Sequence, residues 1–256
     1  MDVRILAVGD VVCGGLDFLA ARLPALRRTF GIDFTVVNGE NASGTGILPR
    51  QADRIFEAGA DVITLGNHTW GRREIETYLD DTPRIIRPAN YAPQVPGFGF
   101  CEVEASFGTV CVINLIGRCG MSFGPDSPFS AADRILKKTE TRFRLVDFHA
   151  EATSEKLAMA YHLDGRVTAL WGTHTHVQTS DAQVFPGGMG YITDLGMTGP
   201  IRSVIGVEPS SSLNMFLGNP PRRYEAASGP YKLEGCVFTC DSGTGRCLNC
   251  ETLRVE

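Results

Sequence analysis

The sequence predicts an α/β protein built from two mixed sheets flanked by helices, and three observations predict it. Apolar runs of strand length alternate with helix-patterned segments through the first third of the chain. Strand-like runs joined by short Gly- and Pro-containing turns follow, and the chain closes on a hairpin pattern. With 256 residues, 43% of them hydrophobic and 21% charged, the chain can bury a sizeable core. It carries no internal repeat and no low-complexity linker, which predicts a single domain over 1–256.

In order, "VRILAVGD" reads as a strand and "LDFLAARLPALRRTF" as a helix, from the spacing of its Leu, Phe and Ala residues. "FTVVNGEN" is a strand, "PRQADRIFEAGA" a helix with Pro49 in its first turn, and "DVITLGNH" a strand. This β-α-β-α-β order predicts parallel strands with right-handed crossovers. After "GRREIETYLDD" the character changes: "RIIRPANY", "GFGFCEVEA" and "TVCVINLIG" read as an antiparallel ladder. "AADRILKKTETR" and "SEKLAMAYHLDG" read as helices, each followed by a strand, "FRLVDFHA" and "VTALWGTH".

A formal charge of −5 argues against a general nucleic-acid or membrane binder, although a local cation can still attract a compact anion. "MDVRILAVGDVV" lacks a basic leader and reads as a first strand, and no apolar run reaches membrane-spanning length. Eight cysteines fall well below the density of a disulfide scaffold, so they are expected as reduced thiols in a cytoplasmic protein. Four of them, Cys236, Cys240, Cys247 and Cys250, lie in "GCVFTCDSGTGRCLNC". They read as small apolar thiols on hairpin strands, with a zinc site as the alternative.

"LWGTHTHVQTS" places His174 and His176 one residue apart after an apolar run. On an extended segment both would project to the same side, where neutral imidazoles could share a cation. Four other apolar runs also end in metal-capable residues: Asp10, Glu40 with Asn41, Asn67 with His68, and His149. Ligands of open α/β sheets bind beyond the carboxyl ends of strands. Taken singly, each residue has a structural reading: a helix cap for Asp10, turns for Glu40-Asn41 and Asn67-His68, a satisfied core histidine for His149. Independent turns give no reason for imidazoles and carboxylates to gather at consecutive strand ends. The fifth histidine, His162, lies on a predicted helix and reads as structural. Carboxylates, imidazoles and amides without cysteine suit iron, manganese or zinc. The set is too large for one ion and about right for two that share a carboxylate, as in sites that hold an attacking hydroxide and clamp a phosphoryl group.

These blocks, "GD" at 9–10, "GNH" at 66–68 and "GTHTH" at 172–176, resemble those of the calcineurin-like metallophosphoesterase superfamily. With "GENASGTG" (39–46) and "RPANY" (87–91), the resemblance is closest to the YmdB-like branch of 2',3'-cyclic-nucleotide phosphodiesterases and runs over almost the whole chain. The superfamily's first block is usually Asp-x-His, but Val12 stands two residues after Asp10 and cannot bind a metal. That departure argues against a protein phosphatase.

The resemblance implies a four-layer α-β-β-α sandwich. It implies that Asp10, Glu40, Asn41 and His176 hold one ion, that Glu40, Asn67, His149 and His174 hold the second, and that Glu40 bridges them. It implies two divalent or mixed-valence ions per subunit, iron foremost, with manganese or zinc as alternatives. His68 would be the proton donor beside the leaving oxygen, with a metal-bridging hydroxide as the nucleophile. The expected substrate is a small phosphodiester, 2',3'-cyclic nucleotides first, with no duplex nucleic acid and no membrane as partner. A homo-oligomer stays open. Alternative readings are a phosphomonoesterase such as a nucleotidase, or a non-catalytic, metal-dependent nucleotide-binding regulator. Substrate-binding residues are not legible: the Gly-rich turn 41–46 and the loop 117–129 are the candidate walls.

Overall fold

The computed structural model describes residues 2–12, 14–121, 124–220 and 225–256. The chain runs β1 (Asp2–Val8), β2 (Asp10–Val11), α1 (Gly15–Phe30), β3 (Phe34–Asn38), α2 (Pro49–Glu57) and β4 (Val62–Thr64). It continues through α3 (Ile75–Asp81), β5 (Ile85–Ile86), β6 (Phe100–Ala105), β7 (Gly108–Ile116), α4 (Pro128–Leu136), β8 (Phe143–His149) and α5 (Thr153–Leu163). The last part holds β9 (Ala169–Thr173), β10 (Gln183–Val184), β11 (Gly190–Ile192), β12 (Met197–Pro200), α6 (Pro209–Phe216), β13 (Tyr231–Asp241) and β14 (Cys247–Val255).

Local chemistry accounts for the helices. In α1, Leu16, Leu19, Leu23 and Leu26 recur on one buried face, Asp17 sits in the first turn and Arg27 and Arg28 in the last. Gly31, in the left-handed region, closes it by returning its N–H to the Arg28 carbonyl. Pro49 opens α2, where no N–H is needed.

In the first sheet, β1, β3, β4 and β5 run parallel as neighbours. On the other flank β1 pairs antiparallel with β13, which carries β14 and β12, and β2 pairs parallel with β12. In the second sheet β7, β8, β9 and β11 run parallel, with β6 and β10 antiparallel at the edges. Three apolar clusters separate four layers. Leu19 and Leu23 of α1 pack with Ile63 and Leu65 on the outer face of the first sheet. Ile5, Phe34, Trp171 and Phe238 fill the space between the sheets, with Trp171 stacked on Phe238 at 5.8 Å. Met159 and Leu163 of α5 cover Val146 and Leu170 on the far face. The architecture is therefore an α-β-β-α sandwich.

Two local expectations are corrected. "RIIRPANY" does not join an antiparallel ladder: only Ile85–Ile86 is strand, and it extends the first sheet in parallel after the α3 crossover. Pro88 brings no backbone donor to continue it. Of that ladder only β6 and β7 pair antiparallel, and β7 then runs parallel to β8. The helix of "AADRILKKTETR" starts earlier, at Pro128 behind a Ser127 cap, and stops at Leu136.

The hairpin cysteines separate into two pairs. The Cys236 and Cys250 sulfurs lie 3.2 Å apart, and Cys240 faces Cys247 in register. Hydrogen bonding to these partners, then burial, pushes the Cys236 and Cys240 thiols above their usual range, while the hydrogen bond from Cys240 holds Cys247 below it. Cys13 lies outside the described residues. Among the described residues no helix is long and apolar enough to cross a membrane.

Candidate metal centre

The parallel order puts the carboxyl ends of β1, β3 and β4 side by side on one rim, opposite the ends of β8 and β9 in the facing sheet. Asp10, Glu40 with Asn41, Asn67 with His68, His149, and His174 with His176 follow those ends. The structure brings all eight into one cluster. Asp10, Glu40 and His149 have no solvent exposure, and Asn41 is also buried.

One group of donors centres on His149. Its Nε2 lies 3.1 Å from Glu40 Oε1, 2.8 Å from Asn67 Oδ1 and 3.1 Å from His174 Nδ1. Its Nδ1 lies 2.9 Å from Thr173 Oγ1, and that hydroxyl donates to Asp147 Oδ1 at 2.7 Å. The threonine proton is committed to the carboxylate, so Nδ1–H of His149 donates to Thr173. Nε2 is then the ring nitrogen aimed at the cluster, where its lone pair becomes available once its proton is displaced. Glu151 Oε2, 3.1 Å from His174 Nε2, turns the His174 Nδ1 lone pair the same way. Asp147 anchors this arrangement across both sheets, taking further hydrogen bonds from Thr64 and from Asn38 at 3.2 Å. Burial pushes its carboxyl above the usual range.

The second group joins Asp10, Asn41 and His176 to the other side of Glu40. His176 Nε2 lies 3.7 Å from Asp10 Oδ1 and 3.1 Å from Asn41 Nδ2, while its Nδ1–H donates to the Ile205 carbonyl at 2.9 Å. Asn41 Nδ2 donates to Glu40 Oε1 at 3.1 Å, and Asn41 Oδ1 accepts from His68 Nδ1 at 2.7 Å. To present Oδ1 as a ligand, this amide must turn over. Val12 packs against Gly199 and Gly206.

The residues fit a cation. Ring nitrogens of His149 and His174 and a carboxylate oxygen of Glu40 lie within 4.8 Å of one another, a group of described side chains placed to hold an ion. Asp10 Oδ1 is buried without a hydrogen-bond partner, a costly state that a cation would relieve. Protonation reports the same field. Burial opposes charging His149, yet Glu40 and Asp10 beside it raise its pKa to about 9. Burial and the neighbouring His149 hold His174 down to about 3. Burial raises Asp10 to about 6, against the pull of His176 and His149. Burial also works to raise Glu40, but His149 and His68 hold it well below the usual range.

A measurable consequence is proton release. Below about pH 9 metal-free protein carries His149 as imidazolium, and an ion at its Nε2 must displace that proton. Calorimetric ion titrations in buffers of different ionisation enthalpy should show roughly one proton released near pH 7.5. The release should fade as pH rises through about 9. Heat independent of the buffer would remove His149 from the ligand set.

The His174–His176 turn corrects one expectation. The pair does not sit on an extended strand: β9 ends at Thr173, and His174 and His176 adopt positive φ of 104° and 63°. The left-handed path sends one imidazole to His149 and the other to Asp10 and Asn41. His174 N–H donates to Asp10 Oδ2 at 3.1 Å, which fixes the turn against the start of β2.

Gly66, before Asn67, has no room for a side chain. A Cβ there would overlap Glu40 Oε2 and the His149 ring. Gly66→Ala is expected to cost about 1–3 kcal/mol of stability by overpacking and to weaken ion retention. Denaturant melts and metal analysis would show both, and unchanged values would mean that the Asn67 loop has slack.

Sequence reasoning passed over Asp147, Thr173, Glu151, Lys156 and Asp194. The signals were present. Asp147 interrupts the apolar strand "FRLVDFH", and Asp194 ends the apolar run "GYIT", a sixth strand end of the same kind. Of the candidate walls, the turn 41–46 closes through Gly44 N–H to the Asn41 carbonyl at 2.8 Å. The loop 117–129 begins beside the site, with Gly117 N–H donating to the His149 carbonyl at 2.9 Å. Residues 122 and 123 of that loop lie outside the described residues.

A family model for YmdB-like proteins matches residues 6–253. A 2',3'-cyclic-nucleotide 2'-phosphodiesterase of Bacillus subtilis is 41% identical over 260 residues, covering 99% of this chain and 97% of that protein. The crystal structure of a hypothetical protein of Thermus thermophilus superposes with a TM-score of 0.93 at 38% identity, covering 99% of both chains. That of a novel phosphatase of Mycoplasma pneumoniae superposes with a TM-score of 0.94 at 31% identity, covering 100% of this chain and 94% of that one. The chain belongs to the YmdB-like family, and is a hydrolase of the metallophosphoesterase type.

Proposed function

We propose that this protein is a phosphodiesterase that opens 2',3'-cyclic nucleotides at a two-ion centre. The observation that carries the reading is the pair of donor groups that meet at Glu40. Asp10, Asn41 and His176 lie on one side, and Asn67, His149 and His174 on the other. The name of the Bacillus subtilis relative supports the substrate class. The donor set, oxygen and imidazole nitrogen without thiolate, suits iron first, with manganese or zinc as alternatives. When bound, the ions supply an acidified water as nucleophile and positive charge for the phosphoryl oxygens.

The protein's own groups supply the rest. Glu40 and Asp10 contribute two negative charges to a site built for two dications, so the loaded site keeps an excess that draws an anionic phosphate. His68 is the most exposed histidine of the cluster, its side chain 39% exposed, with Nδ1 2.7 Å from Asn41 Oδ1 and its backbone N–H tied to Glu40 Oε2 at 3.0 Å. Once the Asn41 amide turns over to offer Oδ1 to an ion, its Nδ2 donates to His68 Nδ1, which leaves the imidazole proton on Nε2 for the departing ribose oxygen, the role of a general acid.

The test is turnover of metal-replete protein on 2',3'-cyclic AMP, 3',5'-cyclic AMP and an aryl phosphomonoester in parallel. The 2',3' isomer should be hydrolysed fastest. A faster monoester would make the protein a phosphomonoesterase, and tight nucleotide binding without turnover would make it a regulator.

A further inference from the structure

Outside the ligand cluster the structure holds a charged pair that the chemistry does not touch. Lys156 Nζ of α5 lies 2.8 Å from Asp194 Oδ2, and each side chain is 1% exposed. The lysine stem crosses over Gly172, where a Cβ would come within 2.8 Å of its Cδ and Cε. A buried ion pair is a poor stabiliser, because desolvating both charges offsets their attraction, and apolar residues of like volume often serve the fold as well. An apolar pair could not, however, do what this carboxylate does for the backbone.

Asp194 Oδ2 also accepts the Thr175 N–H at 3.2 Å, and Oδ1 accepts the Gly196 N–H at 3.0 Å. Thr175 stands between His174 and His176, both in the left-handed region that residues with a Cβ rarely adopt. Such a conformation persists only where its surroundings over-determine it. Gly196 in turn accepts the Asp10 N–H through its carbonyl at 3.2 Å. One carboxylate thus ties the two-histidine turn to the strand end that bears Asp10, and Lys156 fixes that carboxylate from behind.

We propose that Lys156 and Asp194 are positioning residues that hold Asp10 and His176 at the spacing the first ion requires. The inference rests on the two-ion reading above. Two of the four side chains assigned to the first ion stand on backbone that Asp194 ties, against one, His174, for the second. Loss of the clamp therefore falls first on the first ion.

The experiment compares wild-type protein with Lys156→Met/Asp194→Leu, and with Asp194→Asn as a second variant of unchanged size. Each is loaded with manganese, dialysed and assayed for metal content, for turnover, and for the thermal midpoint of the metal-free form. The double variant leaves the Thr175 and Gly196 N–H groups without their acceptor, so its metal-free midpoint should fall; per folded molecule it should retain about one ion where wild type retains about two, and turn over at least tenfold more slowly. A purely structural pair would lower the midpoint in the same way and leave ion retention per folded molecule unchanged. Wild-type ion content and turnover in either folded variant would overturn the proposal, and Asp194→Asn alone decides if the double variant does not fold. Wild-type protein that retains fewer than two ions would sink the two-ion reading instead. The clamp would then stand or fall on whether the variants hold their ion more weakly than wild type.

Discussion

Glu40→Ala is expected to empty or scramble both ion sites at once. Glu40 is fully buried, lies 3.1 Å from His149 Nε2, and is tied to Asn41 at 3.1 Å and to the His68 N–H at 3.0 Å. On the two-ion proposal it is the carboxylate common to the two donor groups, so its loss would remove a ligand from each. It also leaves Asp10, with its unpartnered Oδ1, as the remaining carboxylate of the ligand set. Metal-assisted charge stabilisation contributes several kcal/mol to a transition state, so turnover should fall by at least ~10³-fold. Metal content per subunit, measured beside residual turnover, checks the result. A variant that loses one ion and keeps the other at full affinity would show that Glu40 is not shared.

His68→Ala is expected to do the opposite with the metals. The His68 imidazole stands outside the proposed ligand set: it faces Asn41 Oδ1 at 2.7 Å and stays partly open to solvent. Metal content should stay close to wild type while turnover drops by about 10²–10⁴-fold, the scale of general acid catalysis. The drop should be smaller for a substrate whose leaving group is an aryloxide, which departs without a proton. Loss of both ions from this variant would make His68 a ligand and leave the proton donor to be found elsewhere. The two variants together separate holding the ions from moving the proton.

Much of the candidate site was legible because it is written in strand ends. Polar residues that close apolar runs can be read from a sequence, and parallel strand order then brings such ends to one rim. Asp10, Glu40, Asn67, His149 and His174 were all found that way. Asp147 and Thr173 were not. Their meaning lies in hydrogen bonds to Thr64 and Asn38 of the facing sheet, 83 and 109 residues from Asp147 along the chain. Lys156 and Asp194 were missed for the same reason, since they are 38 residues apart and meet only after α5 docks. The two-histidine turn was misread as extended because its left-handed φ values are imposed by Asp194 and Asp10, not by local preference. Likewise Ile85–Ile86 shows the strand composition but not the partner that makes its pairing parallel.

The sequence by itself determined which residues can bind an ion or carry a proton, and the alternation of helix and strand that delivers them to one end of the sheets. Those properties are local: a side chain's donor chemistry and an apolar period need no distant partner. Only the tertiary structure decided which ring nitrogen each imidazole presents, how the His174–His176 backbone bends, and that Asp10 Oδ1 is buried without a hydrogen-bond partner. Each of these depends on groups far apart in the chain and close in space, because a tautomer or a strained φ is set by the hydrogen bonds around it.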